Sequence, residues 1–96
     1  MKHAVLIERN KVAIAAMVSN HRAANPRLFG SSVRGFDGED SDIDILVDAL
    51  PGATLFDLGA LQVELEELLG APVDLLTPGD LPAGFREKVL AQAGEI

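Results

Sequence analysis

The stretch GSSVRG at residues 30–35, followed after a polar turn by SDIDILV at residues 41–47, decides the fold of this chain. In a β-strand, side chains two residues apart lie on one face, roughly 6.6 Å apart along the strand. Asp42 and Asp44 therefore share a face, and the apolar residues that alternate with them face the other way. Two like charges on one face repel one another unless something positive lies between them. A divalent cation held against a polyphosphate meets that need, because two-metal sites clamp the attacking and leaving oxygens of a phosphoryl group.

A third acid lies in a second short apolar stretch, PVDLLT at residues 72–77. A lone Asp among Val and Leu is costly to bury without a partner, and pairing of this strand beside the first would bring Asp74 to the same metals. The turn at Gly30 and Ser31 supplies the other half of the site, because the glycine allows close backbone approach and the serine offers a hydroxyl and an amide N–H. A short helix beginning at Ser32 would point free N–H groups at an anion. The predicted anion is a triphosphate.

Three motifs in a fixed order carry a resemblance to a known family: LFGSSVRG at 28–35, SDIDILV at 41–47 and LGAPVDLLT at 69–77. They are similar to those of the minimal nucleotidyltransferases (MNT proteins) of the DNA polymerase β superfamily, from about residue 27 to the C-terminus. The resemblance implies metal-binding and catalytic roles for Asp42, Asp44 and Asp74, and nucleotide-binding roles for Gly30, Ser31 and Arg34. Arg34 follows Gly30 by four positions, which differs from the family's spacing, and the loop at 36–40 is acidic.

The resemblance also implies an activity and a partner. MNT proteins are often paired with HEPN-domain proteins in toxin–antitoxin systems. We therefore expect an antitoxin that uses two Mg²⁺ ions and ATP to transfer AMP to a hydroxyl, with tyrosine as the expected acceptor, on a HEPN ribonuclease toxin. Two alternatives stay open: a transferase that acts on a small hydroxylated molecule, as the antibiotic nucleotidyltransferases do, and an antitoxin that neutralises its partner by binding alone.

Two other motifs fail on their spacing. A Walker A loop requires lysine after its second glycine, and Phe36 follows Gly35 here. An EF-hand loop beginning at Asp40 would require glycine at its sixth position and glutamate at its twelfth, where the chain has Ile45 and Pro51.

Length and charge limit the function further. The chain has 96 residues, so we expect a single domain over residues 1–96 without a separate acceptor-binding domain. Its net charge is −7, with scattered basic residues, so a nucleic-acid partner is not expected. It has no cysteine, no apolar run of membrane-spanning length and no signal-peptide pattern at its start. We expect a cytoplasmic protein that does not bind membranes.

The coarse pattern predicts an α/β fold, a small mixed β-sheet with helices mainly on one face, as in the polymerase β palm. Residues 2–22 lack Gly and Pro and predict one long helix that ends before Asn25-Pro26. Its wheel has one stripe that can serve the core, composed of Val5, Leu6, Val12, Ala13, Ala16 and Met17. A second stripe of Ile7, Ile14 and Val18 is either covered by the rest of the domain or forms a docking surface for the partner.

The second half of the chain predicts two further helices. Thr54 and Asp57 resemble a capping box, and a buried stripe of leucines follows at positions 58, 61, 65, 68 and 69, with Glu64, Glu66 and Glu67 on a solvated face. Gly70 and Pro72 end that helix. The final helix is expected to pack through Phe85, Val89 and Leu90, and His3 and His21 are expected at the surface or at helix ends.

Overall fold

The computed structural model describes residues 3–29 and 43–96. Its elements in chain order are α1 (His3–Arg9), α2 (Lys11–Asn20), β1 (Ala23–Leu28), β2 (Ile43–Ala49), α3 (Leu55–Leu69), β3 (Val73–Leu76), a 3-10 turn (Pro78–Asp80), α4 (Ala83–Gln92) and β4 (Gly94–Glu95).

The strands form one four-stranded mixed sheet in the order β3-β2-β1-β4. β1 runs antiparallel to β2 and to β4, and β2 runs parallel to β3. The parallel pair is joined through α3, because parallel strands need a crossover connection. The predicted mixed sheet is confirmed.

Alternation along β2 separates the two faces of this sheet. Ile43, Ile45 and Val47 are fully buried in the main core, with residues from α1, α2 and α3. Leu46 points to the opposite face, where it packs with Leu81 and with Val89 of α4. Among the described elements, α1, α2 and α3 therefore cover one face and α4 covers part of the other, as the prediction of helices mainly on one face requires.

The prediction of one continuous helix over residues 2–22 is wrong, because the helix is interrupted at Asn10. The Asn10 side-chain amide donates to the Leu6 carbonyl (2.8 Å), and its backbone N–H turns to the Ile7 carbonyl (3.0 Å). An asparagine side chain competes in this way for the carbonyl that the backbone N–H four residues later would use in a helix. α2 then starts from Asn10, whose carbonyl accepts from the Ile14 N–H (2.9 Å).

The hypothesis that Ile7, Ile14 and Val18 form a docking surface is also wrong. Their exposed fractions are 4%, 0% and 2%, and all three lie in the main core. The interpretation that the domain itself covers this stripe is confirmed. Val5 and Val12, which were assigned to the core-facing stripe, are 45% and 79% exposed. Leu6 and Met17 of that first stripe do pack against the main core, so the prediction for it is partly correct.

Strand β1 begins earlier than the sequence pattern suggests. Asn25 and Pro26, expected as a break, lie inside it, at a register shift between Ala24 and Arg27. Asn25 has φ 53°, a left-handed conformation that Asn tolerates. Pro26 has no N–H to donate, so a bulge is a place where a strand accepts it.

Helix α3 follows the prediction closely. Thr54 and Asp57 form a capping box, Gly70 ends the helix at φ 68°, and Leu61, Leu65 and Leu69 are buried. The predicted solvated acidic face is only partly correct, because Glu66 and Glu64 have partners. Glu66 accepts a hydrogen bond from the Val73 N–H (3.0 Å), which ties α3 to β3.

Three remaining predictions concern the histidines and the last helix. His21 caps the C-terminus of α2 and pairs with Glu64, in agreement with a helix-end role. Val89 is buried, whereas Leu90 is 38% exposed, so Leu90 does not pack as expected. The predictions for Phe85 and His3 lie outside the side chains that the structure describes.

Candidate active site

Two of the three predicted metal ligands meet on neighbouring strands. Asp44 on β2 and Asp74 on β3 are register partners in the parallel pair. Adjacent strands lie about 4.8 Å apart, and paired residues point to the same face. The flanking Ile43, Ile45 and Val73 are buried on the helix-covered side, so the two carboxylates project from the opposite face. Asp44 is half-buried and Asp74 is exposed.

Backbone hydrogen bonds fix this end of the sheet. The Ile43 N–H donates to the Pro72 carbonyl (2.9 Å), which sets the start of β2 beside the start of β3. The Phe29 N–H donates to the Asp44 carbonyl (3.1 Å). The residue before Gly30 is therefore hydrogen-bonded to one of the two aspartates. The described geometry brings the entrance of the predicted phosphate-binding turn to the edge of the carboxylate pair.

The other predicted site residues lie outside the described part of the chain. These are Asp42, Gly30, Ser31 and Arg34, and with them the predicted helix start at Ser32. Asp42 directly precedes Ile43, the first residue of β2.

The carboxylate pair suits a hard divalent cation. Mg²⁺ prefers oxygen ligands, commonly one or two carboxylates together with water and substrate phosphates. Two registered carboxylates, one of them exposed, match that donor set and leave room for the remaining ligands. Within residues 3–29 and 43–96, no three metal-ligating side chains come together, so a three-carboxylate site would require a residue outside those ranges, such as Asp42.

Asp48, which lies on the same face of β2 as Asp44, has a different environment. Asp48 accepts hydrogen bonds from Arg27 (2.8 Å) and from the Asn25 side-chain amide (2.8 Å). The Asn25 hydrogen bond, with that of Arg27 and the nearby guanidinium charge, lowers the pKa of Asp48 below its usual 3.8. Sequence reasoning missed this cluster, although Asp44, Leu46 and Asp48 follow the same two-residue alternation.

Arg86 on α4 stabilises the chain immediately after β3. Its Nε donates to the Pro78 carbonyl (2.7 Å) and its Nη2 to the Leu81 carbonyl (3.1 Å). Within the same turn, Asp80 accepts from the Thr77 N–H (3.0 Å). Leu81 in turn packs on Leu46, on the face that carries the aspartates. Nothing in the local sequence pattern around Arg86 predicts this contact.

A mixed sheet with paired carboxylates at the start of a central strand, beside a Gly-Ser turn in the sequence, defines a palm-type nucleotidyltransferase. Residues 13–95 match the nucleotidyltransferase domain family. The chain belongs to this family and is a minimal nucleotidyltransferase, an enzyme of nucleotidyltransferase type.

Known proteins similar to the chain agree with this assignment. It is 37% identical over 90 residues to a Methanocaldococcus jannaschii protein with a provisional name as a protein adenylyltransferase, covering 94% of this chain and 97% of the relative. A solved structure described as that of a minimal nucleotidyltransferase superposes with a TM-score of 0.84 at 38% identity, covering all of this chain and 95% of the other. A toxin–antitoxin structure with AMP-PNP superposes with a TM-score of 0.74 at 25% identity, over 90% of this chain and 71% of the other.

No helix within residues 3–29 and 43–96 combines the length and the apolar character needed to cross a bilayer.

Proposed function

We propose that the chain is an antitoxin that transfers AMP from ATP, with Mg²⁺, to a hydroxyl of a HEPN ribonuclease toxin, with tyrosine as the expected acceptor. The observation that carries the proposal is the register pairing of Asp44 with Asp74 on one open face of the sheet. The relative named as a protein adenylyltransferase and the toxin–antitoxin structure with AMP-PNP support the donor and the kind of acceptor.

Asp44 and Asp74, with Asp42, would hold the metal ions. When bound, Mg²⁺ neutralises the phosphate charges and lowers the pKa of the acceptor hydroxyl. Gly30, Ser31 and Arg34 would bind the phosphates, and the Phe29–Asp44 hydrogen bond keeps the start of that turn next to the carboxylates.

The reaction forms one bond and breaks one bond. The acceptor oxygen attacks the α-phosphorus, the bond from that phosphorus to the bridging oxygen of pyrophosphate breaks, and the hydroxyl proton passes to solvent. Positioning and charge neutralisation account for most of the catalysis in phosphoryl transfer. The role of the chain is therefore to hold the nucleotide in line with the acceptor, at a face of the sheet that is open on the Asp74 side.

The experiment is transfer of label from α-labelled ATP to the purified toxin in the presence of Mg²⁺. Asp44→Asn and Asp74→Asn should each lower the rate at least about a hundredfold, as removal of a transition-state charge partner does elsewhere. Glu87→Gln, which removes one exposed carboxylate from α4, is the matched control and should leave the rate unchanged.

Two results would contradict the proposal, one from the label-transfer assay and one from a test of protection in cells. Equal transfer by wild type and Asp44→Asn would remove the aspartates from the reaction. A double variant, Asp44→Asn with Asp74→Asn, that still protects cells from the toxin would show that neutralisation needs binding alone.

A further inference from the structure

The outward side of α3 is apolar and uncharged over its first half. Leu61 and Leu65 face the main core with no exposed surface. On the other side of the helix, Leu55 and Phe56 are 86% and 89% exposed and Val63 is 53% exposed. Gly59 and Ala60, which are also exposed, lie on this outward side. A phenylalanine and a leucine this open to water, next to one another on a rigid helix, are a feature of interaction surfaces.

The second half of α3 is acidic. Residues 55–69 contain Asp57, Glu64, Glu66 and Glu67 and no lysine or arginine. Glu64 pairs with His21 and Glu66 with the Val73 N–H. Glu67 is exposed, and it follows Val63 by four residues, so it continues the outward side of the helix.

We propose that this α3 surface, defined by Leu55, Phe56, Val63 and Glu67, docks a partner protein that presents an apolar patch bordered by lysine or arginine. Charge selects this occupant. A second copy of the chain would place an acidic helix against an acidic helix, in a protein whose net charge is −7. A basic partner gains from the same field. The inference rests on the proposed function in one respect, because it takes the toxin as that partner.

The α3 surface is separate from the candidate active site. α3 covers the face of the sheet that is opposite to Asp44 and Asp74. It also begins after the end of β2, whereas Asp44 lies at the start of that strand. The α3 surface and the two aspartates therefore lie on opposite faces of the sheet. Toxin binding and AMP transfer therefore use different surfaces in this proposal, and substitutions should affect one without the other.

The experiment measures toxin binding by calorimetry and label transfer at saturating toxin for the same set of full-length variants. Phe56→Glu should weaken binding at least about tenfold, as loss of a central apolar anchor does, and should leave label transfer unchanged. Its thermal melting should match that of the wild type, because the side chain is exposed and an acid in the first turn suits the helix. Glu67→Lys should weaken binding and reduce its dependence on salt.

Leu90→Glu is the matched control, since it places the same charge at an exposed apolar position on α4, in the other layer. Wild-type binding by Phe56→Glu, equal weakening by Leu90→Glu, absence of toxin binding in the wild type, or self-association through Phe56 would each overturn the docking surface. Binding that depends on Phe56 without any label transfer would instead overturn the proposed reaction and leave the docking surface in place.

Discussion

Asp44 and Asp48 lie on the same face of the same strand, about 13 Å apart, in contrasting surroundings. Asp48 faces the Arg27 guanidinium and the Asn25 amide, each at 2.8 Å. Asp44 lies in register with a second carboxylate, Asp74. A carboxylate paired with a cation stabilises the folded chain, whereas two registered carboxylates favour the binding of an added cation. The comparison sets an aspartate that is paired with an arginine against one that is proposed to bind metal, four positions apart on one β-strand.

Activity should show the largest difference between the two ends of β2. We expect Asp44→Asn to lower label transfer from ATP to the toxin at least about a hundredfold, because it removes a metal-binding charge. Asp48→Asn should retain most of the activity, since its carboxylate contacts Arg27 and Asn25. Parallel rate measurements on the two variants check this, and equal losses would remove the distinction.

The effects on the free energy of unfolding should have the opposite order, with the larger loss at the Asp48 end of β2. Asp48→Asn leaves the half-buried Arg27 without its ion-pair partner, and we expect a loss of about 1–2 kcal/mol in the free energy of unfolding. Asp74→Asn, at an exposed position beside another carboxylate, should change that free energy by less than about 0.5 kcal/mol. Urea denaturation of both variants gives the comparison. A larger loss for Asp74→Asn would mean that the pair at the start of the strand is structural.

The pH dependence of stability should show the smallest effect. The pKa of Asp48 is lowered in the folded chain, so its stabilising contribution is present above its unfolded value near 3.8 and is lost as pH falls through the lower folded value. We expect wild type and Asp48→Asn to converge in stability as pH is lowered from about 6 to about 3. The side chain is 38% exposed, which keeps the effect below about 1 kcal/mol.

Melting curves of the two proteins across that range measure the convergence. The His21–Glu64 pair is common to both proteins and cancels in the difference. A gap between the curves that widened toward low pH would contradict the assigned direction of the Asp48 pKa.

The candidate site was predictable from the sequence where local pattern decides structure. Alternation in SDIDILV identified the buried face of β2, and it correctly put Asp44 on the opposite face. The apolar stretch around Asp74 predicted a neighbouring strand, and the register pairing confirms that the two residues meet. The cost of burying Asp74 was misjudged, because its side chain is exposed.

Most of the incorrect fold predictions concern features that are set by tertiary packing. A helical wheel identifies two apolar stripes but does not show which one faces the sheet, and Val5 and Val12 are exposed whereas Ile14 is buried. Which stripe is buried depends on the sheet beneath it. The break at Asn10 depends on one side-chain hydrogen bond to the Leu6 carbonyl, and the strand through Pro26 depends on its pairing with β2 and β4. The burial of the stripe and the strand pairing are contacts between distant residues, whereas the Asn10–Leu6 hydrogen bond is local but depends on a side-chain contact that the apolar periodicity does not report.

The central claim is that the Asp44–Asp74 pair binds the nucleotide through a divalent cation. Calorimetric titration of the wild-type chain with ATP, with Mg²⁺ and then with a chelator, tests it most directly. We expect measurable binding only with Mg²⁺, because the triphosphate and the carboxylates otherwise repel one another. The variant with both Asp44→Asn and Asp74→Asn should lose this dependence on Mg²⁺. Equal affinity of the wild type for ATP with and without Mg²⁺ would contradict the claim.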